Sequence, residues 1–328
     1  MPTRIHAARR GLLAMAAALA VFAPTVAAQT FPAHPVRLVV PYPPGGPADT
    51  LARMLVPGVS GVLGAPVVVD NRGGAGGSIG VDMVVKAPSD GYTLLFGNDG
   101  PVAVTPSLNK RVTYSATRDL SAITQLTSSQ LILVSSPSAP FRTVKELIDA
   151  ARASPSKFTF ASSGNGNASH LAGELLKTMT GINLIHVPYK GAAPALTDVM
   201  GGQVHLLFNN LLSAVPQVKA GKLRAIATTG SKRTVATPDT PTISESGIAG
   251  YDVALWAGIL VPVGTPNPVQ NAIHKAFSDA IRQNDVTSRL TAQGVEVVAS
   301  TPSQFSRHIA EEVSKWAKVI SASGARLD

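Results

Sequence analysis

Apolar positions come in short continuous runs that alternate with stretches of helical period, and glycine, proline and small polar residues mark the joins. The run 36–40 is followed by Pro41-Tyr42-Pro43-Pro44-Gly45-Gly46-Pro47 and a predicted helix over 48–63. The run 67–69 leads through a second glycine-rich loop into a helix over 78–86, and 92–96 is again a strand. Such strand–helix repeats predict a parallel sheet covered on both faces. Around 120–136 the rhythm breaks into two β-like runs, 123–126 and 131–134. A Thr143-x-x-Glu146 capping box then opens a helix to 153. Beyond it the pattern predicts strands at 184–187, 204–208, 223–227, 253–261 and 295–298. Helices are predicted over 192–200, 213–220, 268–282, 286–293 and, capped by Thr301 to Gln304, to 321. The last helix carries Phe305, Ile309, Val313, Trp316 and Ile320 at helical spacing. Residues 228–250, rich in Thr, Ser, Pro and Gly, read as a long surface connection.

The stretch 158–180 organises this reading. A short apolar, aromatic run ends in Ser162-Ser163-Gly164-Asn165-Gly166-Asn167, and Leu171, Leu175 and Leu176 then recur at helical spacing. A strand, a glycine-rich loop and a helix start together aim backbone N–H groups and the positive helix end at one spot, which suits an anion. The loop 41–47 repeats the device with prolines for stiffness. Two such loops suggest helix ends converging on one small acid, although for either alone an ordinary βα turn is the favoured reading.

The break near 128 and the return near 251 predict two α/β lobes. Residues 128–251 form one, and 29–127 with 252–328 form the other, joined by a hinge of two strand crossings of the kind that closes domains around ligands. Residues 1–28 stand apart: Arg4, His6, Arg9 and Arg10, an apolar run over 11–22 and Val26-Ala27-Ala28 before Gln29 make a secretory signal peptide. Export to the periplasm of a soluble mature chain is therefore expected.

Composition narrows the chemistry. The chain has 328 residues and no cysteine, which excludes disulfides, thiolate metal sites and a cysteine nucleophile. After the leader, 25 basic residues face 19 acidic ones, spread along the chain with few aromatics between them. Nucleic acid is thus not an expected partner, whereas a mild positive field helps to attract organic anions. The seven histidines show no metal-ligand spacing, and His186 reads as a core residue rather than a catalytic one. Gly164-x-Gly166-x-x-Ser169 lacks the third glycine of a dinucleotide fingerprint, and the strand 184–187 ends without the acid that binds ribose. Gly76-Gly77-Ser78-Ile79-Gly80 matches a nucleophile-elbow pattern, but residues 71–75 separate it from its strand, so Ser78 reads as a helix cap.

The sequence Pro35 to Val40 followed by Pro41-Tyr42-Pro43-Pro44-Gly45-Gly46-x-x-Asp49 resembles the opening of the tripartite tricarboxylate transporter substrate-binding proteins, the Bug (Bordetella uptake gene) family. Val69-Asp70-Asn71-Arg72-Gly73-Gly74-Ala75-Gly76-Gly77, Asp90 to Leu95, Ser163-Gly164-Asn165-Gly166-x-x-Ser169-His170-Leu171, Val187-Pro188-Tyr189-Lys190-Gly191 and Ala220 to Arg224 extend the resemblance over nearly the whole mature chain. It implies a two-lobed periplasmic-binding-protein fold (type II-like, a Venus flytrap). It further implies a monomeric receptor, not an enzyme, that carries a small organic acid (a mono-, di- or tricarboxylate, possibly aromatic) to membrane permease subunits without a cofactor or metal. A ligand sensor for a signalling partner or, less favoured, a periplasmic hydrolase are the alternatives. Carried over by position, the resemblance assigns ligand contacts to Tyr42, Gly45, Gly46, Asp49, Ser163, Asn165, Gly166, Ser169 and His170; Ser162 and Lys190 join them from the adjoining motif residues. Where the family often has acids before its sixth helix, this chain has His205 and Asn209. If Asn209 lines the pocket, a ligand amino group lacks an ionic partner there.

Overall fold

The computed structural model describes residues 31–324, so the predicted leader, 1–28, lies outside the described residues. From His34 onward the chain forms one unit. Its first part runs β1 (Val36–Val40), α1 (Pro47–Leu63), β2 (Val67–Asn71), a 3-10 turn, α2 (Ser78–Val85) and β3 (Thr93–Asn98). Next come a π-helical turn (Gly100–Val104), α3 (Thr105–Leu108), α4 (Ala116–Asp119) and the strand β4 (Leu120–Ser135). The middle part holds α5 (Val144–Ala153), β5 (Thr159–Ser162), α6 (Ala168–Thr180), β6 (Ile185–Pro188), α7 (Ala192–Met200), β7 (Leu206–Asn210), α8 (Leu211–Lys219) and β8 (Arg224–Thr228). The chain then returns through β9 (Ala254–Pro262), α9 (Asn267–Ile281), α10 (Asn284–Ala292), β10 (Val295–Val297) and α11 (Pro302–Ser323).

The strands lie in the order β2-β1-β3-β9-β4-β7-β5-β6, with β8 and β10 also on β4. Parallel pairing, predicted throughout, holds at the two ends, where β1 lies between β2 and β3 and β5 lies between β6 and β7. The centre is antiparallel, because β9 and β4 arrive through long excursions rather than helix crossovers.

The two β-like runs predicted at 123–126 and 131–134 are one strand of 16 residues. Thr127-Ser128-Ser129-Gln130 interrupts the apolar pattern but not the ladder: β10 pairs with Thr127–Ser129, and β9 pairs with Leu120–Gln130. From Leu131 onward the partners become β7 and β8. Buried Thr229 pins this exchange: its N–H donates to Leu131 O (2.9 Å), its Oγ1 accepts from Leu131 N (2.9 Å) and donates to Val253 O (2.7 Å).

The segment 228–250, predicted as surface, is partly core. Thr228, Thr229, Thr242 and Ile243 are fully buried, and Thr228 pairs with Thr242, so backbone hydrogen bonds carry the chain inward. On α11 the buried stripe takes Glu312, while Val313 is half-buried; Glu312 is held by Lys315 and by Trp316 Nε1 (2.9 Å). Thr301 and Gln304 form the complete capping box, whereas Thr143 caps Glu146 N and Glu146 reaches back to Arg142 N instead.

In α6 the helix presses on β5 at Gly173, where a Cβ would overlap the Phe160 ring. Alanine normally stabilises a helix interior over glycine by up to about 1 kcal/mol. Here the sign reverses: Gly173→Ala is expected to lower stability by about 1–3 kcal/mol through overpacking. Urea denaturation should show a lower midpoint with an unchanged slope.

Candidate functional site

Strand directions bring the two glycine-rich loops to the junction around Gln130 and Leu131. β1 runs with β3, β3 against β9, and β9 against β4, so the C-terminal end of β1 points along β4 towards the half of the sheet that holds β5. β4 runs against β7, and β7 runs with β5, so the C-terminal end of β5 points back. The carboxyl ends of strands in open α/β sheets are where ligands bind.

The first loop is braced from within. Gly45, at φ +84°, donates its N–H to Asp49 Oδ2 (2.8 Å). Asp49, buried in the first turn of α1, also accepts from Asn71 Nδ2 (3.0 Å) and Arg53 Nε (2.9 Å). The Arg53 hydrogen bond, then the Gly45 amide, hold its carboxyl down to about 2. Asn71 Nδ2 also reaches Tyr42 O (3.1 Å), tying β2 to the loop. The Tyr42 hydroxyl accepts from Asn98 Nδ2 (3.0 Å), which leaves its own proton for another acceptor. Burial, with the Asp99 charge added, raises the Tyr42 pKa, so the hydroxyl remains a donor. Gly46 precedes Pro47 as the N-cap residue of α1.

The second loop is braced in the same manner by different groups. Ser163 N–H donates to Ser169 Oγ (2.9 Å), Gly164 N–H to Ser162 Oγ (3.2 Å) and Gly166 N–H to His170 Nδ1 (3.0 Å). Asn167 caps α6 by accepting from His170 N (3.1 Å), and its Nδ2 donates to Ser163 Oγ (2.8 Å). Gly164 at φ +136° and Gly166 at φ +74° make this path possible. Ser162, Ser169 and His170 are buried, while Asn165 stands out into solvent.

Neighbouring strand ends complete this rim. The parallel register Ala161 to Leu207 sets Asn209, two residues on, level with Ser163; Ser162 to Pro188 likewise sets exposed Lys190 level with Gly164. Asn209 is buried and donates to Ser213 Oγ (3.1 Å). His205 lies lower on the strand side, where Nδ1 contacts Thr159 Oγ1 (2.9 Å) and the ring meets Phe158 edge-on, a role in holding β7 to β5.

Other sequence candidates have structural places. Ser78 is the first residue of α2 behind an N-cap Gly77, not the cap itself, and its Oγ donates to Ala75 O (2.9 Å). Arg72 pairs with Asp70 (2.9 Å). A Cβ on Gly73 would crowd Pro43 at 3.0 Å, so the glycine-rich loop after β2 packs on the loop after β1. His186, read as core, is only half-buried and stacks on His170. Asn71, Asn98 and Asp99 were not read as site residues, although Asn98 and Asp99 close a strand at its carboxyl end. Loss of solvation, then the Glu312 charge, pushes Asp99 up to about 7 against N–H donors from Gly100 and Trp256. Two cavities of about 640 and 630 Å³ lie elsewhere, one between α8 and α10 and the other between α6 and α11. None of the residues discussed above as ligand contacts lines either. Among the described residues no group of three or more His, Asp or Glu could hold a metal ion, and no helix is long and apolar enough to cross a membrane.

Comparison with known proteins gives this geometry its family. The sequence matches the family described as tripartite tricarboxylate transporter family receptor over residues 51–325. Protein BugT of Bordetella pertussis is 36% identical over 311 residues, covering 94% of this chain and 95% of BugT. Among solved structures, R. palustris Rpa4515 with adipate is 34% identical at TM-score 0.72, covering 90% of this chain and 100% of that one. The periplasmic binding protein BugD is 34% identical at TM-score 0.69, covering 90% and 99%. MatC of Rhodopseudomonas palustris with bound malate is 31% identical at TM-score 0.70, covering 88% and 100%. This chain belongs to the tripartite tricarboxylate transporter receptor family and has its two-lobed α/β periplasmic-binding-protein fold.

Proposed function

We propose that this receptor captures a small dicarboxylate between the loop after β1 and the loop after β5 and delivers it, as a monomer, to the membrane subunits of a tripartite tricarboxylate-type transporter. The observation that carries the reading is the donor set at the two facing strand ends. Both loops open helices, both are rich in glycine and small polar residues, and neither contains an arginine. Relatives bound to adipate and to malate indicate the ligand class, acids of six and four carbons with two carboxylates. Tyr42 from the first loop and Ser163 and Asn165 from the second supply donors to a carboxylate, while Gly166, its N–H held by His170, shapes the loop. Asp49, Ser162, Ser169 and His170 act mainly by holding those donors in place, and Asn209 and Lys190 border the second loop.

A thermal-shift screen of mono-, di- and tricarboxylates should find a dicarboxylate that raises the melting temperature in a concentration-dependent way. Calorimetric titration of that acid should show Ser163→Ala weakening affinity by about tenfold to a hundredfold, as expected for losing one hydrogen bond to a charged group. Arg72→Ala should bind almost normally. Loss of binding in Arg72→Ala with normal binding in Ser163→Ala would reject the two-loop site, and a panel with no stabilising acid would reject the ligand class.

Residues 1–28 direct export, so intact mass of protein recovered from the periplasm should correspond to a chain beginning at Gln29; a cytoplasmic chain retaining Met1 contradicts this. Residues 128–251 form one lobe, and 29–127 with 252–328 form the other, closing about the crossings at β4 and at Thr229–Val253. Small-angle scattering should give a smaller radius of gyration with saturating acid, and an unchanged profile would rule out closure.

A further inference from the structure

Beneath the second loop two imidazoles stack, His170 from α6 and His186 from β6, with ring centroids 3.9 Å apart and planes 9° from parallel. Phe160 of β5 underlies His186 at 4.9 Å. Each imidazole serves a different glycine of the loop. His170 Nδ1 accepts the Gly166 N–H directly (3.0 Å). His186 Nε2 lies 2.6 Å from Ser162 Oγ, and that oxygen accepts the Gly164 N–H (3.2 Å) and reaches Gly164 O (3.1 Å).

We propose that His186, one strand away from the loop, is a positioning residue for ligand binding: with His170 it forms a neutral imidazole pair that fixes Gly164 and Gly166 in the geometry that presents Ser163 and Asn165 to an anion. The inference rests on reading this loop as the ligand site.

The proton inventory supports it. An imidazole that accepts from Gly166 N–H at Nδ1 must carry its proton on Nε2, which faces Glu174 Oε1 at 3.8 Å. A second proton on His170 has only Nδ1 to occupy, and it would displace the Gly166 amide. When the single Ser162 hydroxyl proton turns to Gly164 O, His186 must supply its Nε2–H to Ser162. The groups facing the pair are Glu174 and Lys177 from α6, Ser162 and Phe160 from β5, and each imidazole for the other. Glu174 favours a charged His170, but Lys177 takes the same Oε1 at 2.8 Å and opposes it. Burial, first, then His170 and Lys177, pushes His186 down to about 4, and burial lowers His170.

The direction of the pH effect follows. Above about pH 6.5 a histidine is neutral whether or not the loop is held, so the hold is complete. Below that value a loosened loop takes up protons that the held loop refuses, and the hold weakens as pH falls towards about 4.

The test needs no ligand. In isotopically labelled protein, the His186 ring resonances should titrate well below pH 6.5, and the Gly166 amide resonance should move with the titration of His170. His186→Phe keeps a stacked ring but removes the contact to Ser162. It should lower amide-exchange protection of Gly164 by about tenfold, the loss expected for one hydrogen bond, while Gly166 stays protected. His186→Gln, whose side-chain amide can donate to Ser162, should restore most of that protection. Normal Gly164 protection in His186→Phe, or a wild-type His186 that titrates as a free imidazole, would overturn the proposal. Failure of every acid in the melting screen would instead reject the ligand reading and leave these loop measurements standing.

Discussion

One strand of 16 residues, β4, holds the architecture together, because its hydrogen-bonding partners change along its length while the strand itself is continuous. β9 and β10 flank its first two-thirds and β7 and β8 its last third, with the change falling between Gln130 and Leu131. On one side of β4 the strands β8 and β9 follow end to end, separated by the excursion that buries Thr242 and Ile243; on the other, β7 ends where β10 begins. Both groups of parallel strands are oriented by this strand, so both glycine-rich loops owe their facing directions to it. The shared core follows the same line, running without interruption from Val39 and Val81 through Tyr251 and Trp256 to Phe160 and Leu176. A substitution that damages β4 would therefore disturb both candidate loops at once, whereas damage to β1 or β5 would disturb one.

Glycine-rich loops are costly to order, since each glycine loses more backbone freedom than any other residue. This chain offsets that cost by satisfying loop amides internally: Gly45 on Asp49, Ser163 on Ser169, Gly164 on Ser162 and Gly166 on His170. Loops set in this way would lose less affinity to ordering if a ligand binds at them, as proposed. The same arrangement restricts which groups remain for an anion, shifting the work from the bonded amides to hydroxyls such as those of Tyr42 and Ser163. At Gly45 a Cβ would meet no protein atom within 4 Å, so φ of +84° rather than packing is what demands glycine there.

The parts of the fold legible in the sequence were those whose signal is local. Strand β1 reads as a strand because four of its five residues are buried, and α6 and α11 read as helices through their apolar stripes and caps. The continuity of β4 was not legible, because Thr127 to Gln130 is polar and only the distant β9 and β10 make it a strand. Buried Glu312 was missed for a related reason: its partners, the Lys315 charge and the Trp316 N–H donor, are neighbours that a hydrophobicity pattern does not pair. The candidate loops were visible from composition alone, yet their bracing was not. Asn71 is 22 residues from Asp49 and His186 is 24 from Ser162, separations that only the folded chain closes. Sequence spacing located the loops; Asp49, Ser169 and His170, which hold them, sit on the helices that follow, and neighbouring strands add Asn71 and His186.

The two loops differ most in how they are charged, and that difference decides which is better suited to hold an anion. The first loop is held by a carboxylate. Asp49 sits in the opening turn of α1, where a negative charge favours the helix but opposes a second anion at the same end. Arg53 offsets it, and a carboxyl held down to about 2 stays ionised throughout the physiological range. The second loop is held by neutral serines, an asparagine and an imidazole, so the positive end of α6 is not already opposed by a side-chain charge in its first turn. Helix-end stabilisation of about 0.3–1 kcal/mol is therefore available to a ligand carboxylate at the second loop and largely used up at the first. On the proposed reading this leaves the first loop a different task, for which the Tyr42 hydroxyl and the stiff prolines are suited: meeting the far end of the acid with a neutral donor.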